Sequence, residues 1–266
     1  MASTSQATPA FLRLAAHPLR WRLLTELAVG DLRVRELTAL VQAPQNLVSY
    51  HLRLLRKGGL VTAARSSFDG RDSYYRLDLD RCADALADTG AALHPALRRT
   101  TEPPEAEQHL PQVDVLFVCT GNSARSPIAE ALLRHRTAGR VTVTSAGSRP
   151  KPSLDPRAVD VLRDRYGIDI SEQRPRDLES LRDRRFDYAI TLCDRAREVC
   201  PEFGDRPRRI HWSIPDPSAA DPSATGQDGA SDPFERAAAD IDARVRHLIP
   251  VLAQPPVLAR PTEARP

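Results

Sequence analysis

The chain has 266 residues, 41% of them hydrophobic and 27% charged, with a formal net charge of +3. That length suits two domains of ordinary size, and the composition is that of a globular chain, not a disordered or fibrous one. No apolar run approaches the roughly 18 residues a membrane span needs. The opening MASTSQATPAF lacks a basic stretch followed by an apolar core, so no secretion signal or membrane partner is expected, and a cytoplasmic location is.

Charge is unevenly spread. Residues 1–97 carry 12 Lys/Arg against 9 Asp/Glu, whereas the remainder carries 26 of each. Within residues 45–76 six basic residues face two acidic ones, a local excess suited to a phosphate-facing surface. The four cysteines (Cys82, Cys119, Cys193 and Cys200) are, in a reducing compartment, expected to be reactive or buried thiols rather than structural disulfides.

In chain order, residues 11–28 have helical apolar spacing with Pro18 near the start of the strongest part. Residues 33–41 predict a second helix, APQ a turn, and residues 46–59 a third helix with Val48, Leu52 and Leu55 on one face, ended by Gly58 and Gly59. Residues 60–79 predict two strands around Asp69-Gly70, a hairpin signal. Residues 80–93 predict a closing helix. Helix–turn–helix followed by a hairpin is a winged-helix order. HPLRWRLLTEL, RVRELTALVQAPQNLVSYHLRLLRKGGLV and RDSYYRL resemble the ArsR family of bacterial repressors over about residues 10–95.

The resemblance implies a homodimer through the first and last helices and a third helix entering the major groove of double-stranded DNA. Gln45, Asn46, Ser49, Tyr50 and Arg53 are then the candidates for base edges or phosphates, and Arg65 and Arg71 on the wing for backbone contacts. Metal-sensing relatives often carry paired cysteines near the second helix. Here that region reads AVGDLRVREL, and Cys82 stands by itself in the last helix, so a thiolate sensor is not expected in this domain. A buried core or dimer-face role suits Cys82.

Residues 98–112, RRTTEPPEAEQHLPQ, read as a linker. Beyond them strands at 113–119, 141–147, 187–193 and 208–214 alternate with helices, which predicts an α/β three-layer domain with a four-stranded parallel sheet. A long amphipathic helix over 234–252 closes it. The expected organisation is a winged helix over 1–97, a linker over 98–112, an α/β domain over 113–252 and a disordered tail over 253–266.

The chemistry concentrates in VDVLFVCTGNSARSPIAEALLRH. Cys119 and Arg125 fit C-x5-R, a spacing that chance supplies readily when 36 residues are arginine. Cys200-PEFGD-Arg206 fits it too and fails on physics, because Pro201 has no N–H to offer an anion and Glu202 and Asp205 would repel one. Around Cys119 each element agrees. A buried strand delivers the cysteine to the C-terminal edge of the sheet. Thr120, Gly121, Asn122, Ser123 and Ala124 are small and uncharged, so their N–H groups can converge on oxyanions. A helix starting at Ser126 or Pro127 turns its N-terminus toward negative charge. This field is expected to hold Cys119 as the nucleophilic thiolate, with Arg125 gripping two oxygens of the anion and Ser126 donating to the sulfur.

VLFVCTGNSARSPIAEALL, TSAGS, ITLCDRAREVC and HWSIPDPS resemble the low-molecular-weight tyrosine phosphatase fold over about 112–252. In that family an aspartate of a late Asp-Pro is the general acid, and Asp216-Pro217 matches it. Asp221-Pro222 and Asp232-Pro233 are rivals that follow the last strand less closely. The fold serves phosphotyrosine hydrolysis and arsenate reduction. Phosphatases usually place aromatic residues after the Asp-Pro, where this chain has Ser218, Ala219 and Ala220. Cys193 and Cys200 match the relay pair of thioredoxin-coupled arsenate reductases. The resemblance implies that Cys119 attacks arsenate, Cys193 attacks Cys119, and Cys200 resolves the bond for an external thioredoxin-like reductant, with no bound cofactor. Seven residues of intact helix span about 10.5 Å, more than the roughly 4.4–6.8 Å between Cα atoms that a disulfide allows, so residues 193–200 must unwind in turnover. Some relay enzymes hold potassium beside the loop, and Asn122, Glu130, Ser145 and Asp177 are the matching residues. The expected function is an ArsR-type transcriptional regulator fused to an arsenate reductase. The alternatives are a phosphotyrosine or small-phosphoester phosphatase fused to a regulator, and a non-catalytic oxyanion sensor.

Overall fold

Proline 18 cannot donate to the preceding turn, and the first apolar pattern breaks there. In the computed structural model, which describes residues 8–66, 68, 70–97, 112–200, 207–219 and 232–253, the expected single helix is two: α1 (Ala10–Ala15) and α2 (Pro18–Leu27). Pro18 takes the first helical position of α2, where its missing N–H has no bond to make, and the His17 ring accepts from the Leu19 N–H at 3.2 Å. The sequence reading also missed β1 (Leu32–Arg33), a two-residue strand too short to carry a period. It leads into α3 (Val34–Val41), whose Glu36 accepts the Arg33 N–H at 2.7 Å.

The third helix, α4 (Gln45–Lys57), buries Val48, His51, Leu52 and Leu55. The backbone turns over Gly58 and Gly59, and Gly59 has φ +76°, a region where a Cβ would strain it. Strands β2 (Val61–Arg65) and β3 (Ser73–Leu77) pair antiparallel from Val61↔Leu77 to Arg65↔Ser73, and β1 joins β3, giving the order β1-β3-β2. Helix α5 (Leu79–Leu93) is capped by Asp78. Leu23, Leu24, Leu27, Leu37, Val41, Val48, Leu52 and Leu55 form one core.

The second sheet has the order β5-β4-β6-β7, from β4 (Asp114–Cys119), β5 (Thr142–Gly147), β6 (Tyr188–Thr191) and β7 (Arg208–His211). Strand β4 pairs in parallel with both β5 and β6. Its Val115, Leu116, Phe117 and Val118 are fully buried, as expected of a strand covered on both faces. Because β5 and β6 lie on opposite sides of β4, the chain reverses direction at the end of β4, the position where such sheets bind ligands. Helices α6 (Arg125–Arg136), α7 (Pro156–Tyr166) and α9 (Pro233–Leu252) flank the sheet, α6 packs against α9, and the short α8 (Asp194–Val199) follows β6. A 3-10 turn over Glu179–Leu181 precedes β6. No described helix is long and apolar enough to cross a membrane.

The chain divides into two compact units, Met1–Glu102 with Cys193–Glu198 and Ile210–Ser213, and Pro103–Leu192 with Val199–Arg209 and Ile214–Pro266. Most of the expected linker and tail, and Asp69 and Asp221-Pro222, lie outside the described residues.

Candidate functional site

Strand β4 ends at Cys119, and α6 begins six residues later at Arg125, one residue before the expected start. Between them the loop is strapped from outside. Ser148 N–H donates to the Cys119 carbonyl (3.1 Å), Arg149 to Thr120 (2.8 Å), Lys151 to Gly121 (2.9 Å) and Asp155 to Ser123 (2.8 Å). With those carbonyls held outward, the loop N–H groups are left to face inward, the arrangement an oxyanion needs. Asn122 has φ +44°, a left-handed conformation that asparagine adopts more readily than most residues, and its N–H donates to Cys119 Sγ at 3.2 Å.

The buried hydroxyl of Ser126 lies 3.0 Å from the same sulfur. Asn122 Nδ2 donates to Ser126 Oγ (2.9 Å) and Ser145 Oγ (2.8 Å). An amide nitrogen only donates, so the Ser126 oxygen is an acceptor there and its hydrogen is left for the sulfur. Asn122 Oδ1 accepts the Arg176 N–H at 2.7 Å. Asn122 therefore ties the loop, Ser126, β5 and the segment after α7 together while presenting its own N–H to Cys119, a positioning role beyond the backbone contribution expected from sequence.

Arg125 is 5% exposed. Its Nη1 donates to the Ile214 carbonyl (3.1 Å) and its Nη2 to Asp216 Oδ2 (3.0 Å). Asp216 Oδ1 accepts the Ser218 N–H at 3.1 Å. The loop cysteine is thus held by Asn122 and Ser126, and the buried guanidinium by Ile214 and the carboxylate of the Asp-Pro. Of the rival aspartates, Asp232 is committed to capping α9 through the Phe234 N–H at 2.7 Å.

Three contributors escaped the sequence reading. Gly147 ends β5 against the loop, and a Cβ there would meet the Thr120 oxygen at 2.7 Å and the Asn122 nitrogen at 2.9 Å. A glycine closing a buried strand is the signal for such an approach. Asp155 and Ser218 are joined by a 3.0 Å hydrogen bond, which no local spacing foretells across 63 residues.

Cys193 is buried and accepts from the Ala196 N–H at 3.4 Å. Cys200 follows α8, and none of the four cysteines is in a disulfide. Burial pushes the Cys200 thiol up, with Arg209 opposing in part. Burial, then Asp78, pushes Cys82 up to about 11, a chemically quiet thiol. The residues matched to a potassium site each have protein partners. Asn122 and Ser145 bond each other. The two oxygens of Glu130 hold Arg134 and, at 2.8 Å, Gln173, and Asp177 accepts the Glu179 N–H at 2.9 Å. Arg134 neutralises Glu130 without a monovalent cation, and among the described residues no cluster of His, Cys, Asp or Glu is arranged to hold a metal.

In the first unit Gln45, Asn46, Tyr50 and Arg53 are exposed along α4 with Ser49 half-buried beside them, opposite the face that packs into the core. Arg65 and Arg71 are exposed on the hairpin. Leu12 on α1 is exposed, and so is a stripe of Leu79, Leu86 and Leu93 at seven-residue spacing on α5.

Residues 17–63 match the bacterial regulatory protein arsR family. An arsenate reductase of Halalkalibacterium halodurans is 36% identical over 107 residues, 40% of this chain and 76% of that protein. Arsenate reductase 1 of Bacillus cereus is 30% identical over 132 residues, 50% of this chain and 90% of that protein. A solved structure described as an arsenate reductase in the phosphate binding state is similar at 28% identity and a TM-score of 0.44, over 53% of this chain and 99% of that one. The residues that build the cysteine cradle lie inside a longer match, over 114–256, to the low molecular weight phosphotyrosine protein phosphatase family, and with more than half of its length matched the chain belongs to that family.

Proposed function

We propose that the chain is an ArsR-type DNA-binding regulator fused to an arsenate reductase. The observation that carries this reading is the number of thiols. Hydrolysis of a phosphoester uses one thiol, whereas reduction of arsenate draws two electrons from a thiol pair. Besides Cys119, two further cysteines, neither in a disulfide, bracket α8. The curated relatives named arsenate reductases support the same substrate.

In the proposed sequence the Cys119 thiolate attacks As(V). The departing oxygen takes a proton from Asp216 and leaves as water, with no change in oxidation state. Cys193 thiolate then attacks the Cys119 sulfur. The S–As electron pair goes to arsenic, releasing arsenite and leaving a Cys119–Cys193 disulfide. Cys200 thiolate attacks Cys193, frees Cys119 and leaves Cys193–Cys200 to be reduced by an external dithiol of the thioredoxin kind. Arg125 grips the equatorial oxygens throughout. The α4 and wing residues named above take double-stranded DNA, and the outward leucines of α1 and α5 take a second copy of the chain.

The pairing of Asp216 with Arg125 also suits hydrolysis of a small phosphoester, the second reading. The test is arsenate turnover coupled to thioredoxin and its reductase, beside p-nitrophenyl phosphate hydrolysis, for wild type, Cys119→Ser, Cys193→Ser and Cys200→Ser. The reductase reading requires all three variants to lose arsenate turnover. Intact arsenate turnover in Cys193→Ser refutes the relay. Brisk ester hydrolysis lost only in Cys119→Ser selects the phosphatase.

A further inference from the structure

We infer that Asp155 and Ser218 are positioning residues that hold the proton-donating carboxyl of Asp216 at a fixed distance from the cysteine cradle; this rests on the proposed role of Asp216 as general acid. Ser218 lies two residues after Asp216, but Asp155 is 63 residues from Ser218, and a continuous path of hydrogen bonds joins all three to the cradle. The Asp155 N–H donates to the Ser123 carbonyl in the cradle at 2.8 Å. Ser218 Oγ donates to Asp155 Oδ2 at 3.0 Å. The Ser218 N–H donates to Asp216 Oδ1 at 3.1 Å. Asp155 is itself held, because its Oδ1 caps α7 through the Arg157 N–H at 3.2 Å and its side chain is only 14% exposed. The 41% exposed side chain of Asp216 has fewer constraints.

The path matters because the other partner of Asp216 is also claimed by substrate. Arg125 Nη2 donates to Asp216 Oδ2, and an oxyanion in the cradle competes for that same guanidinium. Once the anion takes Nη2, the bond from the Ser218 N–H is the hold that remains on the carboxyl. That bond occupies Oδ1, so Oδ2 is the oxygen left to carry the proton to the departing oxygen. Ser218 keeps its place because its hydroxyl is anchored on Asp155, and Asp155 is anchored on the cradle. A loop aspartate is thereby referenced to the loop that binds the reacting atom. Small displacements of such a group are costly, about 10²-fold for 1 Å, and general acids contribute about 10²–10⁴-fold in all.

The experiment uses the full-length protein and steady-state arsenate turnover, with inorganic phosphate as competitive inhibitor to report on the cradle. Ser218→Ala is expected to lower kcat about tenfold with KM and the phosphate inhibition constant within twofold. Asp155→Ser, which keeps a capping hydroxyl for α7 but cannot reach Ser218, is expected to do the same. Ser218→Thr, which keeps the hydroxyl, is expected to retain at least half of wild-type kcat. On an Asp216→Asn background Ser218→Ala is expected to add no further loss, because groups acting through one step are not additive. A Ser218→Ala enzyme with wild-type kcat overturns the inference, and so does a tenfold loss that persists on the Asp216→Asn background, which would mark a structural role. If the wild type hydrolyses p-nitrophenyl phosphate instead of reducing arsenate, the substrate reading falls and the same ratios are read on that ester. If it turns over neither, both fall together.

Discussion

The tightest constraint on the cradle is a glycine, and replacing it gives a prediction whose size follows from distances. A Cβ on Gly147 would sit 2.7 Å from the Thr120 oxygen, 2.9 Å from the Asn122 nitrogen and 3.0 Å from the Asn122 Cβ. Ordinary van der Waals contact begins near 3.4 Å, so Gly147→Ala must open the gap to Thr120 by about 0.7 Å. The atoms in the way are mostly backbone of the loop itself, held by four external hydrogen bonds, and cannot swing aside as a flexible side chain would. Overpacking of this kind costs about 1–3 kcal/mol, a fall in the melting temperature of roughly 2–12 °C for a domain of this size. The catalytic effect is of similar size. Displacing the Asn122 N–H by several tenths of an ångström from Cys119 and from the anion is expected to cut kcat by about 10–100-fold and weaken phosphate binding by a similar factor. Gly121→Ala is the milder comparison, because its Cβ would meet the Ser123 hydroxyl at 3.3 Å and Lys151 Cγ at 3.4 Å, side-chain atoms close to ordinary contact rather than backbone. Turnover, phosphate binding by calorimetry and differential scanning calorimetry are measured for the pair. A Gly147→Ala protein with wild-type kcat and phosphate affinity refutes the reasoning, and so does a Gly121→Ala protein damaged equally.

Burial raises the Cys200 thiol, and the resolving step needs its thiolate. Single-turnover formation of Cys193–Cys200 should therefore keep accelerating as pH rises past the ordinary thiol value near 8.5; a plateau by pH 8 counts against it. Burial, then His17 and Arg20, lowers the His51 value, so the unfolded chain binds that proton more readily. The winged-helix unit should be fully stable above about pH 6.5 and lose stability as pH falls below it. His51→Leu, which also removes the unsatisfied Nδ1, should flatten the fall in its melting temperature between pH 7 and 5; an unchanged slope excludes His51 as the cause. Arg53→Ala should weaken binding to the duplex upstream of the chain's own gene by about 1 kcal/mol or more, and lower the slope of log affinity against log salt by about 1 if Arg53 meets a phosphate. Identical curves for variant and wild type would take Arg53 off the DNA face.

What sequence could and could not show follows from the range of the forces involved. The cradle was legible because its parts are contiguous: a buried strand, five small residues, an arginine and a helix start all lie within residues 113–135. The parallel sheet was legible for the same reason, since alternation of strand and helix is a local signal. The first helix was misread as one because Pro18 was taken as an early residue of a longer pattern, when a proline marks a first turn. Strand β1 was invisible, for two residues have no period and only the pairing with Tyr74 and Tyr75 makes them a strand. Glu130 shows a different limit. Its residue type suited a cation ligand, but Arg134, one turn further along α6, reaches it first. Local competition of that kind is legible in principle as an i,i+4 pair.

The cradle and the relay differ in how firmly each is built, and the proposed chemistry needs that difference. Helix α6 runs for 12 residues and buries every position from Arg125 to Leu133, so the loop at its N-terminus has little freedom to move. Helix α8 has six residues, well below the roughly 12–15 at which an isolated helix holds itself. A Cys193–Cys200 disulfide must bring Cα atoms from about 10.5 Å in continuous helix to within about 6.8 Å. In a long buried helix that would break many backbone bonds, each worth about 0.5–1.5 kcal/mol net. In α8 it breaks few, among them the bond from the Arg197 N–H to the Cys193 carbonyl at 3.1 Å. In the proposed relay, a helix of six residues between the two thiols would keep them apart when reduced and let them meet when oxidised at little cost.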